Sequence, residues 1–275
     1  MKKYTLLVLL LIISTTTFAQ KKDKIKGDKN VTTVTNGFEK EFDAIEIADN
    51  LKVTLKRSLQ NSYTLTADQN LHNIIQFTIH EGLLKIYTTS NIVSSKKLDI
   101  TLSLKNLEYI YLKDNSEINS DKTFESNSIN IDAQNSSKFD LDLSSKQTII
   151  KMNSGAKGEL KLRADELTIA MNDKADLHAN VNLNTTSVSL TNNVKLRLDG
   201  NSDKVSFTTT DSSELDAKRL KVSSADVITA NKSEVHIEAR KNLYIQAKDK
   251  SKIFVYSEPK IEIRKFADKA ELLKR

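Results

Sequence analysis

Four histidines, His72, His80, His178 and His236, are the side chains of this sequence best suited to bind a metal or move a proton near neutral pH. Their spacing supports neither. None forms a His-x-x-His or His-Glu-x-x-His pair. His178 and His236 fall in one outward column of the repeat described below, three periods apart, about 14 Å at the spacing of adjacent strands. All four read as solvated surface histidines. The chain has no cysteine, which removes disulfides, thiol nucleophiles and thiolate metal sites. Aspartate and asparagine recur at a fixed interval, as in calcium-binding glycine-rich β-rolls. Those rolls need closely spaced glycines, and this chain has six in 275 residues. The recurring acids therefore read as turn formers. No Gly-x-Ser-x-Gly elbow, phosphate loop or paired-carboxylate motif occurs. The expectation is a protein with no catalytic residues, no cofactor and no metal.

One set of residues remains. Thr168, Ala170 and Asn172, then Ser187, Ser189 and Thr191, then Ser206, Thr208 and Thr210 stand at equivalent positions of three successive repeats. Stacked, they make a flat patch of small polar groups, suited to glycan hydroxyls or an ordered water surface. The plainer reading is a solubilising sheet face. Tyr109, Tyr111 and Tyr244 occupy the same columns nearer the ends, and aromatic platforms are common where sugars bind.

What positions these residues is one phrase, repeated. "DSSELDA" (211–217) returns as "DKADLHA" (173–179), "NKSEVHI" (231–237) and "DKSKIFV" (249–255). Taking Leu215 as the anchor, equivalent residues are Ile118, Phe139, Gly158, Leu177, Leu196, Val235 and Ile253, at a period of about 19. Eight and six residues before each anchor, and two after it, stand mostly apolar residues such as Val188, Leu190 and Leu198. That alternation marks short strands with one buried face. Four residues before each anchor stands Asp, Asn or Ser, the side chains that favour tight turns. Two before it the residue is usually small: Ser116, Ser137, Ala156, Ala175, Ser213, Ser233 or Ser251, with Val194 the exception.

An antiparallel array of hairpins and a parallel solenoid could both use this unit. Hairpins favour turns rich in Asn-Gly, Asp-Gly or Gly-Gly, and this chain has only six glycines. A meander also has no reason to repeat one residue class every 19 positions. A solenoid does, because equivalent positions stack directly on each other. The predicted fold is all-β: a single-stranded parallel β-helix of about 19-residue coils.

The start, "MKKYTLLVLLLIISTTTFAQ", reads as a secretory signal peptide over 1–19, too short in its apolar run for a spanning helix of about 20 residues. No later segment is long and apolar enough to span. The formal charge of +6 is concentrated at the ends, with five lysines against two acids in 20–30 and six basic against four acidic residues in 258–275. That distribution argues against nucleic acid as a partner. Residues 20–36 read as a flexible basic tail and 37–257 as the β-helix domain. Within it, 37–105 read as irregular N-terminal coils and a cap, about three periods with a weak pattern, and 106–257 as regular repeats. Residues 258–275 read as a last strand and a short helix closing the other end.

"GFEKEFDAIEIADNLKVTLKRS" (37–58), "YTLTADQNL" (63–71) and "HEGLLKIYT" (80–88) resemble the start of the auto-transporter adhesin head GIN domain family. The resemblance runs over about 37–257. It implies a right-handed parallel β-helix exported to the periplasm or cell surface of a Gram-negative bacterium, and brings no catalytic residues with it. The expected role is a non-enzymatic adhesin or envelope scaffold whose partners are glycans or cell-surface and envelope components. The alternative is a polysaccharide-binding or polysaccharide-degrading β-helix. The sequence leaves the oligomeric state open.

Overall fold

The structure, a computed structural model, describes residues 22–275; the expected signal peptide lies outside them. From Tyr109 to Lys274 the chain winds through about nine turns of a β-solenoid. Successive strands pair in parallel about 19 residues apart: Leu177 beside Leu196 and Leu196 beside Leu215. The anchor column is buried from Ile118 to Ile253, with Ile118, Leu177, Leu215, Val235 and Ile253 at 0% exposure. Alternation explains this directly, since every second residue of a strand points inward and a parallel register places like residues above each other. The corner of a turn is a break in that alternation. In the strand Asp176–Thr191, Leu183 and Thr186 are buried, while Asn184 and Thr185 between them are both exposed.

The recurring phrase has a conformational cause. Apart from the Glu81–Gly82 hairpin turn, ten turns of the repeat among the described residues place two consecutive residues in the left-handed region, among them Asp114–Asn115, Asn135–Ser136, Asp211–Ser212 and Asn231–Lys232. Asn and Asp tolerate that region better than other non-glycine residues. The turn is closed by the next amide, as when Ser116 N–H donates to the Lys113 carbonyl at 3.0 Å. The conformation also turns the middle amide along the axis of the solenoid. Ser212 N–H donates to the Asn231 carbonyl at 3.0 Å, and Lys232 N–H to the Asp249 carbonyl at 3.0 Å. The ladder between coils therefore continues through the turns. These are left-handed two-residue turns made almost without glycine. The strands on either side of each turn pair with different neighbours and not with each other, so no hairpin forms.

The column of small residues is buried: Ser116, Ser137, Ala156, Ser233 and Ser251 are at 0% exposure. Its hydroxyls join adjacent coils, as Ser116 Oγ donates to the Ile47 carbonyl at 2.8 Å. Interior polar groups elsewhere pair with each other. Thr209 and Thr229, both buried, share a hydrogen bond of 2.9 Å across two coils.

Three sequence readings change at the ends. First, part of the expected flexible tail over 20–36 is strand. β1 (Lys24–Lys26) pairs in parallel with the strand Asn91–Ser94, and β2 (Val31–Gly37) runs antiparallel to Ser62–Asp68. The high lysine content masks a β-branched run, Val31-Thr32-Thr33-Val34-Thr35, whose Thr33 and Thr35 hydroxyls meet Thr66 and Thr64 at 2.9 and 3.0 Å. Second, no three coils lie between "IEIADNLKVTL" and the repeats. β3 (Ala44–Ile47) and β4 (Lys52–Arg57) stack directly under the first regular turn, with Ile45 beside Ile110 and Val53 beside Ile118.

The intervening chain doubles back as a cap. β5 (Ser62–Asp68) is antiparallel to both β2 and Leu98–Leu104, and β6 (Ile75–His80) forms an antiparallel hairpin with β7 (Leu83–Thr88). β7 then lies in parallel beside β3. β8 (Asn91–Ser94) leads into β9 (Leu98–Leu104), which lies in parallel beside β4. Third, residues 258–275 form no helix. Lys260–Phe266 and Glu271–Lys274 are strands of one further turn, with Asp268–Lys269 in the left-handed positions. "ADKAEL" (267–272) is the phrase once more, with Ala270 in the small column and Leu272 as anchor.

Candidate functional site

The strand register brings the predicted polar patch together. Thr168, Ser187 and Ser206 are consecutive partners in one column, Ala170, Ser189 and Thr208 in the next, and Asn172 pairs with Thr191. Their parity is opposite to that of Ile169, Val188 and Phe207, which fill the core, so they point outward. Thr168, Ser187, Ser189 and Ser206 are exposed; Asn172, Thr191, Thr208 and Thr210 are half-buried. The patch grades from free to tied. Thr210 Oγ1 reaches Thr191 Oγ1 at 3.5 Å, and Asn192 Nδ2 donates to Asn172 Oδ1 at 2.8 Å. The other five hydroxyls make no side-chain hydrogen bond to the described residues, and their donors and acceptors face solvent in rows about 4.8 Å apart.

The patch has an aromatic and charged border. Beyond Ser206 in the same column stand Asp226 and then Tyr244. Arg264 Nη1 binds Asp226 Oδ2 at 2.7 Å, and its guanidinium lies 4.4 Å from the centre of the Tyr244 ring. Burial opposes charge on Arg264, but Glu262 and Asp226 outweigh it and raise its pKa above the usual guanidinium value. At the far end, Tyr109 and Tyr111 stand on two adjacent outward columns with rings 6.3 Å apart and 6° from parallel. They lie three turns from Thr168.

A second feature was not legible as a site. The turn edge of the C-terminal half forms an open groove of about 780 Å³, lined by alternating columns that include Asp211, Asn231 and Asp249 on one side and Ser212, Lys232 and Lys250 on the other. The recurring Asp and Asn were plain in the sequence as turn formers. That their successive tips would border a concavity depends on how the coils stack, which residue spacing does not encode.

Three histidines are less simply solvated than their spacing suggests. His72 is half-buried in the cap, its Nε2 3.0 Å from Thr32 Oγ1. His178 is half-exposed between Glu159 and Asp199, with Nδ1–Oε2 of 3.1 Å and Nε2–Oδ2 of 3.0 Å. Asp199, largely buried, also holds Arg219 and lies 3.5 Å from Arg197. His236 stacks on Phe254 with centroids 4.5 Å apart and bonds the Tyr256 hydroxyl at 3.0 Å. Consecutive outward positions of the parallel stack create both clusters. Among the described residues no group of three or more His, Cys, Asp or Glu is disposed to hold a metal ion, and no helix is long and apolar enough to cross a membrane.

Solved structures share this architecture. A "putative adhesin" of Parabacteroides merdae superposes with a TM-score of 0.71 at 16% identity, over 92% of this chain and 99% of its own. A "putative adhesin" of Parabacteroides distasonis gives 0.70 at 15%, over 92% and 100%. A second P. distasonis protein, described as a "putative lipid binding protein", gives 0.68 at 17%, over 92% and 100%. At such identities the likeness is one of fold. No curated protein matches the sequence. The profile of the family described as "putative auto-transporter adhesin, head GIN domain" matches residues 41–161 and 156–259, a span that includes the capped coils and all but the last turn of the solenoid, and the chain belongs to that family.

Proposed function

We propose that this protein is an exported, non-enzymatic binding rod of the Gram-negative cell envelope, an adhesin or scaffold whose polar sheet face engages glycan hydroxyls. The observation that carries the reading is the row of hydroxyls on Thr168, Ser187, Ser189, Ser206 and Thr208, without side-chain partners among the described residues and held at the fixed interval of the strands. A rigid array of small donors and acceptors loses little entropy on binding a repeating polar chain, and the Tyr244–Arg264 border supplies a face for sugar stacking. Family membership supports the adhesive role.

The test is a glycan array with the purified exported chain, repeated with Ser187→Ala, Ser189→Ala, Ser206→Ala and Thr208→Val combined. All four side chains point away from the core, so the melting temperature should stay within a few degrees. Glycan binding should fall at least tenfold. Binding unchanged by the four substitutions, or no binding to glycans, matrix or cell surfaces, would overturn the reading. Protease shaving of intact cells separates a surface rod from a periplasmic one.

The turn-edge groove, with Asp211, Asp249, Lys232 and Lys250 along it, favours a second reading, a polysaccharide-degrading solenoid. That reading expects new reducing or unsaturated ends from a polysaccharide panel, and an intact panel would remove it.

A further inference from the structure

The hydroxyl row lies on regular coils, but a second polar site lies where the repeat is broken. Two adjoining hollows of about 640 and 450 Å³ sit between the cap and the first regular coils and share Asn106 and Glu108. Both fall in the range of small-molecule sites, about 300–1,000 Å³. The coil here is longer than its successor: Asn119 pairs with Asp140, 21 residues on, but Phe124 with Leu143, 19 residues on. The shared wall, residues 105–108, is held from both sides. Lys105 N–H donates to Asn61 Oδ1 at 2.9 Å and Glu108 N–H to the Asp43 carbonyl at 2.7 Å, both in the chain beneath. From the coil above, Ser126 Oγ donates to the Leu107 carbonyl at 2.9 Å. The wall is therefore fixed before any ligand arrives.

Arg57, Lys146 and Glu125 line the larger hollow, Lys105, Glu41 and Asp43 the smaller, and Glu108 both. None of these side chains makes a hydrogen bond or an ion pair to the described residues. Charges on nearby coils do pair, as Lys52 with Glu117, Lys113 with Glu46 and Lys161 with Asp142. Three cations against four carboxylates select neither a polyanion nor a cation. No apolar wall is offered either: Phe42 is only 6% exposed, and Phe124, beneath the Arg57 guanidinium, only 1%. The fitting occupant is neutral and both donates and accepts many hydrogen bonds. Tyr109 follows Glu108 directly, is 38% exposed, and its ring lies 6° from parallel to that of Tyr111. This pair stands three turns from Thr168, too far to serve the hydroxyl row, but one residue from both hollows.

We propose that the hollows bind the end of a neutral oligosaccharide, with a sugar unit in each and the next unit stacked on Tyr109 and Tyr111. Glu108 and Glu125 accept from sugar hydroxyls, and Arg57, Lys105 and Asn106 donate to hydroxyl and ring oxygens. Because these side chains have no partners among the described residues, binding breaks no bond between them. The site holds the end of a glycan, whereas the hydroxyl row would hold its length, and it does not depend on that row.

The experiment is titration calorimetry on the purified exported chain carrying the four hydroxyl-row substitutions, so that only the hollows are read. The probes are the tetrasaccharides of cellulose, xylan and mannan, with tetragalacturonate and the chitosan tetramer as charged controls. A neutral tetramer should bind, and the charged tetramers should bind at least tenfold more weakly. Glu108→Gln and Tyr109→Ala should each weaken the neutral tetramer at least tenfold. Glu108→Gln should leave the melting temperature unchanged, because that carboxylate has no partner among the described residues. Tighter binding of a charged tetramer, affinity indifferent to both Glu108→Gln and Tyr109→Ala, or no neutral tetramer bound in this background would each overturn the proposal. The last result leaves the hydroxyl row untouched, so the two readings fail separately.

Discussion

Ser116 and Ser213 occupy the same position of the repeat, both buried, yet their hydroxyls have different fates. Ser116 Oγ donates to the Ile47 carbonyl at 2.8 Å and accepts from Lys113 N–H at 3.1 Å; Ser213 Oγ has no partner among the described residues. Removing a satisfied hydroxyl strands its partners, at about 1 kcal/mol or more, whereas removing an unsatisfied buried one relieves a penalty of similar size. Ser116→Ala should therefore lower stability in urea unfolding and Ser213→Ala should leave it equal or raise it. Alanine already stands in this column at Ala156 and Ala175, both buried, so the comparison is free of volume effects. Equal losses at both sites would refute the account.

Neighbouring anchors obey volume instead. A Cβ on Gly158 would lie 2.3 Å from the Phe139 ring and 2.8 Å from Leu177. Gly158→Ala should cost about 1–3 kcal/mol by overpacking, and Phe139→Leu in the same chain should recover much of it in a double-mutant cycle. Inward register was legible residue by residue. Leu196 is 2% exposed and Lys195 is exposed, so Leu196→Asp should unfold the region. Lys195→Asp, beside Asp176 and Glu214, should cost less than about 1 kcal/mol. The state of an individual hydroxyl was not legible, because it depends on sub-ångström placement of the coil beneath.

Among the elements, the regular turns were readable and the cap was not, for a physical reason. A repeat writes one constraint many times, so that Asp, Asn and small residues recur wherever left-handed turns and close coils require them. The scarcity of glycine argued correctly for a solenoid, but its local meaning differs: Asp and Asn supply the left-handed turns that glycine usually supplies. The cap writes its constraint once. β5 and β6, antiparallel to their neighbours, and β9, parallel to β4 but antiparallel to β5, show the same period-two alternation as the parallel coils, so alternation could not reveal their direction.

What ties the cap together is Asp68, at 0% exposure. Its carboxylate accepts from the backbone amides of Lys96, Lys29 and Lys97 at 3.0, 3.2 and 3.3 Å, and the missing Cβ of Gly27 makes room for it. The bond from Lys96 N–H leads in holding its pKa below the usual carboxylate value, against the opposing effect of burial. A depressed folded pKa means the stabilisation is present above the unfolded value, near 3.9, and is lost as pH falls through the folded one. Asp68→Asn should lower the melting temperature at pH 7, and the gap to the unmodified protein should narrow steadily below about pH 4. A gap independent of pH would show that the carboxylate charge plays no part.

For the molecule as a whole, stacking makes stability nearly a sum of turns and the interfaces between them. Each coil contacts the one below and the one above, and the register between them is uniform from Asp176 to Ser206 without a bulge. The chain should therefore tolerate loss of one complete period and not of half of one. Deleting residues 185–203 joins Asn184 to Lys204, the residue that pairs with Thr185 in the intact protein. Every inward position above the join then lies over an equivalent inward position, with Val205 next to Leu167 and Phe207 next to Ile169. The shortened protein should keep the same β-sheet dichroism and unfold in one transition, with a modest loss of stability from the missing interface.

Deleting only 185–193 removes the same hydroxyl row, Ser187, Ser189 and Thr191. It also joins the end of one strand to the start of the wrong one, so the small and anchor columns meet strands of different length and the ladder through the turns is broken. That chain should aggregate or fail to fold. Comparable folding of the two deletions would mean that the 19-residue period does not govern the stack. Clean folding of the full-period deletion would also give a rod with an intact cap but a shorter polar face, in which the dependence of glycan binding on the length of the hydroxyl row can be measured.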